Sequence, residues 1–157
     1  MYKVLMVCLG NICRSPLAQG ILEELALKNK IPLFVDSCGT GDWHIGNPPD
    51  QRSIDIAKKH NIDISLQRAR KFNSYDFIKF DKIYVMDTTN FTNIVRLCSN
   101  NNEINKVELI LKNINKQKSL SVPDPYYGGK NGFESVFKLL YSACEEIIKK
   151  IPTEDER

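Results

Sequence analysis

The chain is long enough for one domain with its own hydrophobic core: it has 157 residues, of which 42% are hydrophobic and 26% charged. Its formal net charge of +3 is mild. Such a charge slightly favours anionic substrates and gives no basis for expecting a nucleic-acid partner.

The five cysteines are an odd number and lack the paired spacing of metal sites. We therefore expect neither a disulfide framework nor a bound metal or other cofactor, and the cysteine usage is typical of a reducing cytosol. The apolar stretch at the N-terminus is short, is broken at Gly10 and is followed by no cleavage pattern. No run of residues approaches the length of a membrane span. The sequence thus predicts a cytoplasmic protein with no membrane partner.

The first strand and helix are predicted from the residues on either side of one short loop. The apolar run before Cys8 predicts a buried strand over Lys3–Cys8. Ser15 as a cap and Pro16 in the first helical position predict a helix over Ser15–Asn29. A loop between a strand and a helix N-terminus turns backbone N–H groups toward one point, so the sequence predicts an anion site here.

This loop carries a cysteine at its start and an arginine at its end. Beside a helix N-terminus and the Arg14 guanidinium the thiolate form of Cys8 is stabilised, which makes it nucleophilic near neutral pH. Arg14 matches two oxygens of a phosphate or a similar oxyanion, and the backbone N–H groups from Leu9 to Arg14 would hold the others. Ser15 can donate its hydroxyl hydrogen to the Cys8 sulfur.

Two residues of the loop suit a tight turn, because Gly10 and Asn11 tolerate left-handed backbone conformations. The alternative is a buried Cys8 with Arg14 solvated on the following helix. The strand before the loop and the helix start after it favour the anion site.

The rest of the chain alternates between strand and helix patterns. Three apolar runs predict strands, over Ile31–Ser37, Lys82–Asp87 and Val107–Leu111. Helices are predicted over Gln51–His60, Ser74–Phe80, Thr88–Leu97 and Gly132–Lys150, the last with Phe133, Val136, Phe137, Leu140, Ala143, Cys144 and Ile147 facing inward. The basic cluster Arg68–Lys71 and the polar segment Asn100–Gln117 are interpreted as solvated surface.

Alternating strands and helices predict one α/β domain over residues 1–157, with a parallel sheet between two layers of helices. Ligands of such sheets bind beyond the carboxyl ends of the strands. Cys8 ends the first strand, so the predicted topology and the predicted anion site agree.

The Gly- and Pro-rich loop from Cys38 to Asp50 is either a wall of the binding cleft or a surface crossover. Its residue Trp43 is the single tryptophan of the chain. This side chain could stack against an aryl phosphate or act as a hydrophobic plug under the loop, and the residues alone favour neither.

A cysteinyl-phosphate intermediate needs a carboxyl group that acts first as acid and then as base. Asp124 is suited to this role, since Pro123 and Pro125 restrict its backbone and Tyr126 and Tyr127 could pack against an aromatic substrate. The alternative is a turn in which Asp124 only hydrogen-bonds its own backbone.

The segment Cys8–Pro16 resembles the phosphate-binding loop of the low-molecular-weight protein tyrosine phosphatases. The likeness continues, in family order and over essentially the whole chain, with Asp36-Ser37, Gly46-Asn47-Pro48-Pro49-Asp50, Met86-Asp87 and Asp124-Pro125-Tyr126-Tyr127-Gly128. The resemblance implies a four-stranded parallel sheet of order 2-1-3-4. It also implies that Asp124 is the general acid.

Further roles are implied by the same resemblance. Asn11, Ser15 and Ser37 would form a hydrogen-bonded scaffold for the loop, and Cys13 would pair reversibly with Cys8 on oxidation. The cleft walls that admit an aryl phosphate would be Leu9, Ile12, Trp43, Tyr126 and Tyr127. Two departures from the family pattern are Gln67, where many members carry a histidine of the scaffold, and His44, where an acidic residue is often found.

The sequence thus predicts a protein tyrosine phosphatase that needs no metal. Its expected substrates are phosphotyrosine proteins and small aryl phosphates, the latter as an acid phosphatase, and its expected inhibitors are phosphate, vanadate and other oxyanions. Arsenate reduction is a weaker alternative, because it needs closely spaced further cysteines. A phosphoarginine phosphatase would carry threonine in place of Ile12. A phospho-binding module would not need Cys8, and a phosphate-carrying domain would not need both Arg14 and Asp124.

Overall fold

The structure is a computed structural model and describes residues 1–114, 119–128 and 130–157. The last part of the predicted polar segment, residues 115–117, lies outside the described residues. Among the described helices, none is both long enough and apolar enough to cross a membrane.

Four parallel strands form one sheet in the order β2-β1-β3-β4. Their bounds are Tyr2–Cys8 for β1, Leu33–Gly39 for β2, Lys82–Val85 for β3 and Val107–Leu109 for β4. In the register of the sheet, Cys8 lies opposite Gly39. The predicted strand order 2-1-3-4 is confirmed.

Six α-helices in the described residues connect and cover the strands. They are α1 (Arg14–Lys28), α2 (Gln51–Lys59), α3 (Asp76–Lys79), α4 (Thr88–Val95), α5 (Asn101–Lys106) and α6 (Lys130–Lys150), with short 3-10 helices at Ile110–Asn113 and Glu154–Glu156. All seven residues predicted to face inward from the last helix are buried.

Alternate residues of β1 enter two separate cores, which gives the fold its three layers. Val4 and Met6 pack with α1 and α6, while Leu5 and Val7 pack with the aromatic cluster around Phe77 on the other face. Each of these fully buried aliphatic side chains contributes about 1.5–3 kcal/mol of hydrophobic stabilisation. The strand that ends at Cys8 is therefore held firmly from both sides.

Two local predictions are wrong. Ser15 does not cap α1: the helix begins at Arg14 with Cys13 in the cap position, and the Ser15 hydroxyl lies against Cys8 Sγ instead. Gly10 does not have a positive φ. A Cβ atom at Gly10 would lie 3.1 Å from the His44 ring, a tighter contact than most Cβ atoms make, so a larger residue there would have to displace His44 by a few tenths of an ångström.

The polar segment holds a helix that the sequence did not predict. Helix α5 has no buried residue, and Asn100 caps it by accepting the backbone N–H of Glu103 at 3.0 Å. Periodicity of apolar residues is the main sequence signal for a helix, and a short helix without an apolar face lacks it. Strand β4 is correspondingly shorter than predicted, because the chain turns into a 3-10 helix at Ile110.

Candidate active site

Cys8 lies at the carboxyl end of β1, buried under the loop that leads into α1. Its sulfur accepts the backbone N–H of Asn11 at 3.3 Å and lies 2.9 Å from Ser15 Oγ. Asn11 itself has a left-handed backbone, with φ of 57°. The expectation of a left-handed conformation is thus confirmed for Asn11.

The Asn11 side chain is the centre of a buried hydrogen-bond network. Its Nδ2 donates to Ser15 Oγ at 2.8 Å and to Ser37 Oγ at 2.9 Å, and its Oδ1 accepts the backbone N–H of Arg70 at 3.1 Å. The network continues from the Ser37 hydroxyl to Gln19 Oε1 at 2.7 Å. The structure thus brings together the three expected scaffold residues and joins two more to them.

Arg14 is only 3% exposed and is held by two fixed acceptors. Its Nη1 donates to Asp87 Oδ2 at 2.7 Å and to the carbonyl oxygen of Val122 at 3.0 Å. The backbone N–H of Val122 in turn donates to the carbonyl of Met86 at 2.7 Å, just beyond β3. One guanidinium therefore fixes the loop after β1, the end of β3 and the segment that carries Asp124.

Asp124 faces the same guanidinium from the other side. Its Oδ2 lies 3.8 Å from Arg14 Nη2, and its side chain is 41% exposed. Its Oδ1 accepts the backbone N–H of Tyr126 at 3.0 Å. The two interpretations of this aspartate are therefore compatible, since one oxygen stabilises the turn while the other faces the cleft.

These groups open onto a cleft of about 320 Å³. Its lining residues are Cys8, Leu9, Gly10, Ile12, Cys13, Arg14, Trp43, His44, Asp124, Tyr126 and Tyr127. Trp43 is 68% exposed and covers Gly41, where an added Cβ would overlap the indole ring. It lies on the rim of the cleft and is not a buried plug.

Arg52 supports the aromatic side of this cleft. It binds Asp50 with two hydrogen bonds of 3.0 Å, and its guanidinium lies 5.4 Å from the centre of the Tyr126 ring and 4.7 Å from that of Phe133. Hydrogen bonding to Arg52 lowers the pKa of Asp50 below its ordinary value. Asp50 also joins the phosphate-binding loop, because its backbone N–H donates to the carbonyl of Ile12 at 2.8 Å.

Cys13 is buried in the same loop and also lines the cleft. Burial, together with the negative charge of Asp50, raises the pKa of its thiol to about 12. At neutral pH Cys13 is therefore a thiol and a poor nucleophile.

The two departures from the family pattern lie in different places. His44 lines the cleft. Gln67 does not contact the Asn11 network: its Nε2 donates to the carbonyl of Pro16 at 3.1 Å, and its Oε1 is buried without a partner among the described residues. Gln67 is thus not a substitute for a histidine of the scaffold. The position beside Ser37 is taken by Gln19, and that beside Asn11 Oδ1 by Arg70.

Asp87, Gln19, Arg70 and Arg52 were all missed as site residues. Asp87 is the last residue of the predicted strand Lys82–Asp87, and carboxyl ends of parallel strands share one edge, so topology could have indicated it. Gln19 lies four residues after Ser15 on one helix face. Asp36 and Asn11, two of the partners of Arg70, are distant in sequence and gave no local signal.

Within the described residues, no group of three or more His, Cys, Asp or Glu side chains is arranged to hold a metal ion. The site consists instead of a thiol, a buried guanidinium and inward-facing amides. A parallel sheet with this loop at the end of a central strand defines a class of α/β proteins that bind an oxyanion beside a cysteine.

Comparison with known proteins narrows this class to a family. Residues 3–157 match the family model described as low molecular weight phosphotyrosine protein phosphatase, and the chain belongs to this family. The phosphatase of Schizosaccharomyces pombe in this family is 40% identical over 95% of this chain and 96% of its own length. These findings support the phosphatase interpretation and not arsenate reduction or phospho-binding alone.

Solved structures agree with the family assignment. The protein tyrosine phosphatase of Entamoeba histolytica, crystallised with Hepes in its active site, superposes with a TM-score of 0.91 at 34% identity, over 96% of this chain and 97% of that one. A drosophila arginine phosphatase superposes with a TM-score of 0.89 at 29% identity, over 98% and 99% of the two chains. The fold is therefore shared by relatives named for two different phosphorylated residues.

Proposed function

We propose that this protein hydrolyses phosphotyrosine through a cysteinyl-phosphate intermediate, as one domain acting in the cytoplasm. One observation carries the proposal: a buried thiol, a buried guanidinium and a partly exposed carboxyl group border a single cleft. Its rim is aromatic, with Trp43, Tyr126 and Tyr127 around the opening, which suits an aryl phosphate.

In the first step, Cys8 Sγ attacks phosphorus and forms the S–P bond while the bond from phosphorus to the tyrosyl oxygen breaks. Asp124 gives its proton to the departing oxygen, so the phenol leaves neutral. Arg14 and the amides of the loop hold the phosphoryl oxygens and stabilise the charge that develops on them.

In the second step, Asp124 is a carboxylate and takes a proton from water, whose oxygen attacks phosphorus. The S–P bond breaks, phosphate is released and Cys8 leaves as a thiolate. The hydroxyl of Ser15 and the amide N–H of Asn11, both within hydrogen-bond distance of the sulfur, stabilise this thiolate.

Hydrolysis of p-nitrophenyl phosphate in the presence of a chelator tests the proposal. We expect turnover by the wild type, inhibition by vanadate and phosphate, and loss of turnover in Cys8→Ser. Cys98→Ser is the matched control, since Cys98 lies near the end of α4 and is absent from the cleft lining. Absence of turnover by the folded wild type, or wild-type turnover by Cys8→Ser, would contradict the proposal.

The substrate class is proposed as phosphotyrosine rather than phosphoarginine because Ile12 presents an aliphatic side chain to the cleft. Small aryl phosphates should also be hydrolysed, as by an acid phosphatase. Peptides with each phosphorylated residue distinguish the two classes. We expect the wild type to prefer phosphotyrosine and Ile12→Thr to gain activity on phosphoarginine, and a wild-type preference for phosphoarginine would refute the assignment.

Cys13 is proposed to protect the nucleophile. Peroxide oxidises the Cys8 thiolate to a sulfenic acid, which then condenses with the Cys13 thiol to form a disulfide and release water. Because its raised pKa keeps Cys13 protonated, we expect closure to become faster as the pH rises. Recovery of activity by dithiothreitol after peroxide treatment tests this role, which fails if Cys13→Ser recovers as completely as the wild type.

A further inference from the structure

Arg70 lies behind the phosphate-binding loop, outside the cleft, in a basic cluster that was interpreted as solvated surface. The structure corrects that interpretation. Its guanidinium binds Asp36 of β2 at 3.0 Å and makes paired contacts of 3.0 and 3.1 Å with Asp76, a buried residue of α3. Burial opposes the charge of Arg70, but the hydrogen bonds to Asp76 and the charge of Asp36 raise its pKa above the ordinary value.

The backbone of Arg70 is fixed as firmly as its side chain. Its carbonyl accepts the N–H of Gly39 at 2.8 Å, and the N–H of Phe72 donates to the carbonyl of Gly39 at 2.8 Å. Gly39 in turn touches the phosphate-binding loop, since a Cβ there would lie 2.7 Å from the carbonyl oxygen of Leu9. The segment around Arg70 is therefore clamped between α3, β2 and the loop.

The backbone N–H of Arg70 determines which way round the side-chain amide of Asn11 is oriented. An N–H can only donate, so the atom of Asn11 that faces it at 3.1 Å must be the oxygen. The Asn11 nitrogen then faces Ser15 Oγ and Ser37 Oγ and donates to both.

The same reasoning limits the choices of the Ser15 hydroxyl. Since its oxygen accepts a hydrogen from Asn11, its own hydrogen can be donated to Cys8 Sγ, 2.9 Å away, which is nearer than the other acceptor, the carbonyl oxygen of Cys38 at 3.4 Å. If the Asn11 amide turned over, its oxygen would face Ser15, and the hydroxyl would donate to that oxygen and no longer to the sulfur. The direction of the hydrogen bond between Ser15 and Cys8 therefore depends on the hydrogen bond between the backbone of Arg70 and the Asn11 amide.

We propose that Arg70, anchored by Asp36 and Asp76, is a positioning residue for the nucleophile: it holds the Asn11 amide in the orientation that makes Ser15 donate to Cys8. The proposal deepens the function proposed above and rests on it for its effect on turnover. Its effect on the thiolate itself is independent of any substrate.

The rate at which iodoacetate alkylates Cys8 measures the reactivity of its thiolate without any substrate. In Arg70→Gln the two ion pairs are lost, and we expect alkylation at neutral pH to be about tenfold slower, because a hydrogen bond to a charged group is weakened. Turnover of p-nitrophenyl phosphate should show a similar fall in kcat with little change in KM. Arg68→Gln is the control, since among the described residues the Arg68 side chain donates only to the backbone carbonyls of Ser65 and Gln67.

The pH dependence of alkylation should shift in Arg70→Gln while the groups around Cys8 stay unchanged. Those groups are Cys13 of the loop, Cys38 of β2, Arg14 of α1 with its partner Asp87, His44, and Asp124, Tyr126 and Tyr127 on the opposite wall. Asp36→Asn removes one of the two ion pairs and gives a milder second variant should Arg70→Gln fold poorly.

A double-mutant cycle separates positioning from a structural role. If Arg70 acts through Asn11 and Ser15, Arg70→Gln should slow alkylation in the wild-type background and have no further effect in Ser15→Ala. Equal effects in both backgrounds, or an unchanged pH dependence together with a lower melting temperature, would overturn the proposal. Failure of the phosphatase proposal would appear differently, as an alkylatable Cys8 in a wild type without turnover.

Discussion

Asp87 uses its two carboxylate oxygens for two different contacts, and substitution can separate them. Its Oδ1 accepts the backbone N–H of Asn90 at 2.7 Å and caps α4, while its Oδ2 accepts Arg14 Nη1 at 2.7 Å. Asp87→Ala removes both contacts. In Asp87→Asn the amide oxygen can accept from only one of the two donors, and the amide nitrogen then faces the other N–H.

The free energy that each contact contributes can be judged from its geometry and its exposure to solvent. Loss of a helix cap costs about 1 kcal/mol. A hydrogen bond to a charged group contributes about 1.5–3 kcal/mol, and the 21% exposure of Asp87 places its contact with Arg14 at the lower end. We therefore expect the free energy of unfolding to fall by about 2–3 kcal/mol in Asp87→Ala and about 1–2 kcal/mol in Asp87→Asn.

Urea denaturation followed by circular dichroism measures these values; the exposed Trp43 makes fluorescence a poor reporter of the core. Asn100→Ala is the matched control, because Asn100 caps α5 through a side-chain oxygen as Asp87 caps α4, but hydrogen-bonds to no arginine in the described part of the chain. Asp87→Ala should also lower kcat/KM for an aryl phosphate by about tenfold, since Arg14 loses its alignment. If Asp87→Ala lowers the free energy of unfolding no more than Asn100→Ala does, and keeps the wild-type kcat/KM, Asp87 does not anchor Arg14.

Three further changes have defined outcomes. Asp124→Ala should retain vanadate binding but lose turnover by about 10²–10⁴-fold, most strongly for poor leaving groups; unchanged turnover of phosphotyrosine peptides would exclude it as the acid. Arg52→Ala should raise KM for such peptides about two- to fivefold, as the ring of Tyr126 loses its cation–π contact, with kcat nearly unchanged; an unchanged KM would exclude a bracing role. Because the pKa of buried Cys13 rises from an ordinary 9.0 to about 12, its contribution to stability should be complete below pH 9 and be lost between pH 9 and 12, as the unfolded chain releases that proton first. Urea titrations across this range should show a smaller alkaline loss for Cys13→Ser, and an equal loss would rule out this thiol as the cause.

The sequence predicted the parts of the molecule that follow from local pattern. The loop was located by the apolar run before Cys8 and the helix signals after it. Both signals depend on residues that are neighbours in the sequence. The strand order came from resemblance to a family, since periodicity alone does not say which strands are neighbours. Even at the loop, Ser15 was assigned the task of a cap although its hydroxyl is engaged by Cys8 and Asn11.

The contacts that orient the site could not be predicted in this way. Arg70 binds Asp36, 34 positions away, and donates its backbone N–H to Asn11, 59 positions away. In the sequence it is one member of a basic cluster, and most such clusters are solvated. The pairing of Gly39 with Lys71, together with the ion pairs to Asp36 and Asp76, holds this arginine behind the loop.

Asp87 and Asp124 both face Arg14, but they differ in their distance from its guanidinium and in their exposure to solvent. The difference fits the separate roles that the proposed reaction gives them. Asp87 lies 2.7 Å from the guanidinium and also caps a helix, so its charge is fixed in place whether substrate is present or not. Asp124 lies 3.8 Å away and is about twice as exposed, at 41% against 21%. A group that must lose and regain a proton in each cycle needs contact with water and weak coupling to the arginine. Because Asp87 already satisfies one end of Arg14, Asp124 is left free to meet those two needs.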